Sequence, residues 1–170
     1  TAGDYHLVAS DELQIQGRFG YSERFPAEAS IVGFAITGDR IANNRLVVEY
    51  TGPAKGHAGF KAWWNGKQIL TSFPGSFNSA DHFLVAKLDN IDPDEMHERA
   101  RHTIGGAIGS GALPSYLFEM PDIQIYCLLG EDTMNLVLAL RKLEGAMDGY
   151  CGNFNCLTED DTLEALEKRG

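Results

Sequence analysis

Residues 59–73, GFKAWWNGKQILTSF, predict a tight β-hairpin. The dipeptide Asn65-Gly66 is typical of a two-residue turn, because asparagine and glycine tolerate the positive φ angles that such a turn requires. Aromatic and aliphatic residues flank this turn on both sides, as expected of two paired strands. Successive residues of a strand face opposite sides, so we expect one of Trp63 and Trp64 in the core and the other on the outer surface. The outward tryptophan is a candidate for binding a carbohydrate or a partner protein.

Short strands separated by turn signals account for most of the remaining sequence. Alternating or continuous apolar stretches lie at residues 13–16, 30–36, 45–50, 83–88, 122–129 and 134–140. Strands that recur at short intervals, with glycine, aspartate and asparagine between them, are typical of a β-sandwich. We therefore expect a mostly β protein with an antiparallel, sandwich-like fold.

Two segments are predicted to be helical. Asp92-Pro93, followed by acidic residues, indicates the start of a helix at about residues 92–105. A glycine-rich loop follows it, up to about residue 111. Residues 162–169 have a helical composition and predict a short C-terminal helix. The length of 170 residues fits a single domain covering 1–170.

Composition and charge narrow the range of partners. The formal net charge of −10 argues against nucleic acid, whose phosphates would be repelled, and suits divalent cations. No apolar stretch approaches the length of a membrane span. The chain opens at Thr1 without a methionine, which favours a mature terminus or a piece of a longer protein. Its three cysteines, Cys127, Cys151 and Cys156, allow at most one intrachain disulfide in an oxidising compartment.

Residues 148–161, DGYCGNFNCLTEDD, have the composition of a calcium-binding loop. Calcium takes about six to eight oxygen ligands from carboxylates, carboxamides and backbone carbonyls. The loop offers side-chain oxygens at Asn153, Asn155, Asp160 and Asp161 and a backbone carbonyl near Leu157 or Thr158. Magnesium fits less well because it requires a strict octahedron, and zinc would need histidines near the cysteines. The alternatives are an ordinary polar turn or the acidic first turn of the last helix.

The same loop resembles the C-terminal signature of von Willebrand factor type D domains, which reads roughly GLCGNFNG followed by an aspartate pair. Other regions resemble that family in the same order along the chain. Residues 3–6 (GDYH), Asp11 and residues 15–21 (IQGRFGY) resemble its opening, which reads GDPH, an aspartate and FQGxCxY. The hairpin around Asn65-Gly66 resembles its VxVNGxxI segment. The resemblance spans nearly the whole chain and is most specific in Cys-Gly-Asn-Phe-Asn.

The resemblance implies a calcium site that joins the two ends of the chain. The implied ligands are Asp11, Asn153, Asn155, Leu157 through its carbonyl, Asp160 and Asp161. It also implies a secreted, extracellular or lumenal domain that takes part in assembly or adhesion with other protein chains, without catalysis. The ion would then be structural, because an aspartate from the first strands ties the termini together.

The sequence departs from the family pattern in ways that affect its chemistry. Tyr5 replaces the proline of GDPH, so we expect no backbone cleavage there. Asp148 stands in place of the first cysteine of CGLC, which removes a Cys-x-x-Cys redox motif, and Phe19 stands in place of the usual disulfide partner. The possible disulfides are Cys151 with Cys156, or either of them with Cys127. Residues 92–111, with the helix predicted at about 92–105, have no counterpart in the family pattern, so the resemblance implies that they are an insertion.

No catalytic constellation is found in the sequence. The five histidines are scattered without a His-Glu-x-x-His pattern, and no serine lies in a nucleophile-elbow context. An enzyme that uses Cys151 as a nucleophile is a further alternative, although the acidic neighbours of Cys151 oppose formation of a thiolate. The main alternative is a secreted β-domain that binds a small molecule or lipid in a closed apolar cavity.

Overall fold

The chain forms two antiparallel β-sheets in a computed structural model that describes residues 2–23, 26–52, 59–91 and 113–141. The first sheet has its strands in chain order: β1 (Gly3–Ala9), β2 (Gln14–Tyr21), β3 (Ala29–Thr37), β4 (Leu46–Tyr50), β5 (Phe60–Trp64) and β6 (Lys67–Ile69). The second contains β7 (Gly75–Asn78), β8 (Val85–Ile91), β9 (Leu113–Met120), β10 (Ile123–Leu129) and β11 (Met134–Leu140), again as successive neighbours. One short 3-10 helix, Asp39–Ile41, lies between β3 and β4.

The two sheets share one hydrophobic core, which confirms the mostly β, sandwich-like class. Phe34 of β3 and Phe118 of β9 meet edge to face across it, with ring centroids 6.3 Å apart. The buried hydroxyl of Tyr116 on β9 donates to the carbonyl of Phe60 on β5 at 3.0 Å. Alternation along each strand places these apolar side chains on the inner faces, where burial provides most of the stabilising free energy.

The predicted hairpin is confirmed. Asn65 and Gly66 have φ angles of 50° and 80°, as a two-residue turn with positive φ requires. Trp63 pairs with Gln68 across this turn. The return strand is shorter than expected: β6 ends at Ile69, because Leu70 adopts a φ of 54° and leaves the extended conformation.

Three strands were not predicted, and the predicted helices lie outside the described residues. The sequence patterns do not predict strands at β1, β7 and β9. The helix predicted at 92–105 and the insertion at 92–111 lie outside the described ranges, as does the short C-terminal helix.

Candidate functional site

Asp11 lies at the exposed tip of the turn between β1 and β2. Ser10 fixes this turn, since its hydroxyl oxygen accepts the backbone N–H groups of Leu13 at 3.0 Å and of Glu12 at 3.3 Å. The backbone N–H of Ser10 donates to the carbonyl of Leu13 at 2.9 Å. The Leu13 side chain is fully buried and anchors the turn to the core. Asp11 is therefore presented to solvent on a well-ordered backbone.

The loop after β3 packs directly against this turn. The backbone N–H of Arg40 donates to the carbonyl of Glu12 at 2.9 Å. Gly38 has a φ of 127°, and a Cβ placed there would lie 2.3 Å from that same carbonyl oxygen. Only glycine fits such a close approach of two backbones. The position of the Asp11 turn is thus fixed by the loop after β3 as well as by its own strands.

Arg40 extends this connection to the second sheet. Its guanidinium forms an ion pair with Asp122, which lies in the turn between β9 and β10. Asp122 also pairs with Arg141 at 3.3 Å, and its carbonyl accepts the Arg141 backbone N–H at 3.0 Å. A short series of contacts therefore joins the Asp11 turn to the end of β11.

Arg141 directly follows β11, and the predicted calcium loop comes after it in sequence. The other five predicted ligands, Asn153, Asn155, Leu157, Asp160 and Asp161, lie outside the described residues. Within the described ranges, no group of three or more histidine, cysteine or acidic side chains is arranged to hold a metal ion. The structure therefore places one predicted ligand, Asp11, at the same end of the sandwich as Arg141, the last described residue before the others in sequence.

The two tryptophans are divided between the faces of the first sheet, as predicted. Trp64 is 8% exposed and belongs to the shared core, so it is not accessible to a partner. Trp63 is partly exposed and lies on the opposite, outer face of β5. Of the two partner-binding candidates, Trp63 alone remains.

Cys127 is a free, fully buried thiol in the middle of β10. Burial raises the pKa of this thiol well above its ordinary value, because the thiolate would lose its hydration. Cys127 is therefore a core residue and forms no disulfide in this structure. Cys151 and Cys156, the other disulfide candidates, lie outside the described residues.

Ser10, Arg40 and Asp122 were not identified from the sequence. Ser10 could have been found, since a serine at the start of a turn often accepts backbone N–H groups two or three residues later. The pairing of Arg40 with Asp122 had no local signal, because the two residues are 82 positions apart.

No family model matches this chain, and no curated protein matches it either. The resemblance to type D domains therefore depends on the quoted sequence motifs. Among the described residues, no helix is long and apolar enough to cross a membrane.

Proposed function

We propose that the protein is a calcium-stabilised structural and interaction module similar to a von Willebrand type D domain. It acts in a secreted, extracellular or lumenal setting, in the assembly or adhesion of a larger complex or filament. Its partners are other protein chains or domains of that assembly, and it performs no catalysis of its own. The calcium ion binds Asp11 together with Asn153, Asn155, the Leu157 carbonyl, Asp160 and Asp161.

The observation that supports this proposal is that Asp11 and Arg141 lie at the same end of the sandwich. The calcium loop begins a short distance after Arg141 in sequence, and each extended residue adds about 3.3–3.6 Å of reach. The segment after Arg141 is thus long enough to bring Asn153 and the aspartates to the Asp11 turn. If β11 ended at the opposite end of the sandwich, the segment after Arg141 would have to run the whole length of the sandwich before reaching the Asp11 turn.

The physical advantage of such a site is that the ion offsets the cost of ordering the loop. A loop alone loses conformational entropy, about 1–2 kcal/mol for each backbone residue that becomes fixed. An ion shared with Asp11 links that loop to a turn already fixed by Ser10 and Arg40. The net charge of −10 further favours a divalent cation over an anion.

The alternative, a secreted β-domain that binds a small molecule or lipid, requires an apolar cavity between the sheets. Large side chains from both sheets occupy that interface, including Phe34 with Phe118 and the buried Tyr116. This packing favours a structural core over an internal binding site.

Calcium titration of the purified chain tests the proposal. We expect one calcium ion to bind per chain, more tightly than magnesium, with a rise in Tm that depends on the free calcium concentration. Asp11→Ala and Asp160→Ala should each weaken binding by about tenfold or more, because each removes a charged ligand.

The matched control is Asp132→Ala, since Asp132 lies in the turn between β10 and β11, at the other end of β10 from Asp122. It removes the same charge from a site that is not part of the proposed ligand set. Absence of calcium binding would refute the proposal. Equal affinity of Asp11→Ala and the control would show that the first strands contribute no ligand.

A further inference from the structure

The outer face of the first sheet carries a continuous row of side chains across all six strands. His6, Gln16, Ala35, Val47, Trp63 and Gln68 are successive register partners from β1 to β6. We call this row the outer ladder. The adjacent row contains Asp4, Arg18, Gly33, Glu49 and Lys61 in the same strand order.

A groove of about 170 Å³ runs between β2 and β4 on this face. Its floor is β3, which places the small residues Gly33 and Ala35 there. A side chain at Gly33 is not tolerated, because its Cβ would lie 2.9 Å from the carbonyl oxygen of Val48. The groove is smaller than the roughly 300–1,000 Å³ of pockets that enclose drug-sized ligands, so it accepts one ring-sized unit.

An ion-pair bridge closes one end of the groove. Arg18 donates to Asp4 at 2.9 Å and 3.2 Å and also pairs with Glu49, which lies beyond Gly33 on β4. The hydrogen bond from Arg18 lowers the pKa of Asp4, so that carboxylate stays ionised at neutral pH. The positive charge of Arg18 is therefore compensated by the carboxylates of Asp4 and Glu49.

The groove as a whole carries balanced charge. Its charged lining residues are Arg18 and Arg45, which are positive, and Asp4 and Glu49, which are negative. A net charge of zero gives no preference for an ionic ligand, and the charge of −10 on the chain disfavours polyanions at longer range. The balance of charge thus favours an uncharged ligand.

Two polar side chains that line the groove, Arg45 and Gln16, keep hydrogen-bonding capacity that the described part of the chain does not use. The Arg45 side chain, exposed at the groove wall, makes no hydrogen bond or ion pair to the described residues. Gln16 also lines the groove, and its side chain makes one contact among the described residues, of 3.4 Å to Nε2 of His6. These groups supply donors and acceptors on rigid strands, which limits the entropy lost on binding.

Trp63 provides an aromatic surface next to these groups. It is the register partner of Val47, which lines the groove, so Trp63 lies on the same outer face, one strand beyond the groove wall formed by β4. A sugar has C–H groups on its faces and hydroxyls at its edge. The indole ring of Trp63 suits the C–H face, and the neighbouring polar side chains suit the hydroxyls.

We propose that the groove over Ala35, together with Trp63 on the neighbouring strand β5, binds a neutral saccharide unit. The C–H face of the sugar stacks on Trp63, while Arg45, Glu49 and Gln16 hydrogen-bond its hydroxyls. This site uses none of the residues assigned to calcium, so its test is independent of the calcium proposal.

The test uses the full chain and a panel of neutral oligosaccharides: maltooligosaccharides, cellooligosaccharides, laminarioligosaccharides and N-acetylchitooligosaccharides. We expect at least one class to bind with a Kd on the order of 1 mM and to change tryptophan fluorescence. Polygalacturonate serves as the acidic comparison, and each titration is made with calcium and with chelator.

Two variants and one control locate the site. Trp63→Ala should weaken binding about tenfold, and Ala35→Leu should abolish it by filling the groove without altering the core. Tyr21→Ala is the control, because Tyr21 is an aromatic residue that is 58% exposed and does not line the groove. Tm values of all three variants establish that they are folded.

The proposal is overturned if no neutral oligosaccharide binds at about 10 mM. It is also overturned if polygalacturonate binds in preference to every neutral sugar, or if a protein partner proves to occupy the groove instead. Sugar binding that survives both Trp63→Ala and Ala35→Leu would likewise refute this location.

Discussion

Asp122→Asn is expected to destabilise the protein by weakening the contact between the two sheets near the Asp11 turn. Asp122 has a φ of 63°, and asparagine tolerates this left-handed conformation, so the substitution removes charge without backbone strain. The asparagine side chain keeps one oxygen acceptor for Arg40. The ion pair with Arg40 and the weaker one with Arg141 are lost.

The magnitude follows from the exposure of the three side chains. The side chains of Arg40 and Asp122 are each 33% exposed. The contribution of their ion pair to stability is therefore intermediate between that of a surface ion pair, about 0–1 kcal/mol, and that of a hydrogen bond to a charged group, about 1.5–3 kcal/mol. Arg141 is 83% exposed and adds little. Since asparagine retains part of the hydrogen bond, we expect a loss of about 1 kcal/mol in the free energy of unfolding.

Urea denaturation measures this loss as a lower midpoint at an unchanged slope. Asp132→Asn is the matched control, because Asp132 has no ion pair among the described residues. The difference between the two variants should shrink in about 1 M salt, which screens partly exposed charges. Equal stability of Asp122→Asn and the control at low salt would refute the assigned role of Asp122.

Three further predictions concern the core. Tyr116→Phe should cost about 1–2 kcal/mol in urea denaturation, because the buried Phe60 carbonyl loses its hydroxyl donor; a neutral effect would contradict the inter-sheet hydrogen bond. Burial raises the pKa of both Cys127 and Tyr116, so the folded state keeps protons that the unfolded state releases. The free energy of unfolding should therefore be constant below the pKa values of the unfolded chain, about 8.5 for cysteine and 10 for tyrosine, and should fall as pH rises above them. Cys127→Ala should make the fall above about pH 8.5 less steep, and an unchanged slope would contradict the burial of this thiol. Trp64→Ala should cost about 3–5 kcal/mol and Trp63→Ala much less, because only Trp64 lies in the core; equal losses would contradict the assigned faces.

Local signals were sufficient to predict the central hairpin and several strands. The hairpin was predictable because Asn65-Gly66 specifies its turn and the flanking residues favour strands. β4 was predictable because Leu46 and Val48 alternate with less buried residues along a strand that has one buried face.

The missed strands lack a regular pattern for identifiable reasons. In β1 an irregularity between His6 and Val8 makes Leu7 and Val8 both buried, which breaks the alternation. β9 begins with Leu113-Pro114, and a proline within a short apolar run weakens the prediction of a strand. β7 is only four residues long and reads as a turn.

The candidate calcium site was predicted as a set of residue types, but its placement depends on long-range contacts. The sequence identified Asp11 through the family resemblance and the oxygen-rich loop through its composition. It carried no signal that Arg40 would connect the Asp11 turn to Asp122 and the end of β11. That connection depends on how the two sheets pack, which short-range patterns do not encode.

Hydrogen exchange of the turn between β1 and β2, measured with calcium and with chelator, tests most directly whether one ion joins the two ends of the chain. We predict that calcium slows exchange in a peptide covering residues 9–14, and that Asp160→Ala abolishes the slowing although Asp160 lies far from this turn in sequence. If calcium binds to the chain and exchange in this turn stays the same, the ion does not bind Asp11 and the account is contradicted.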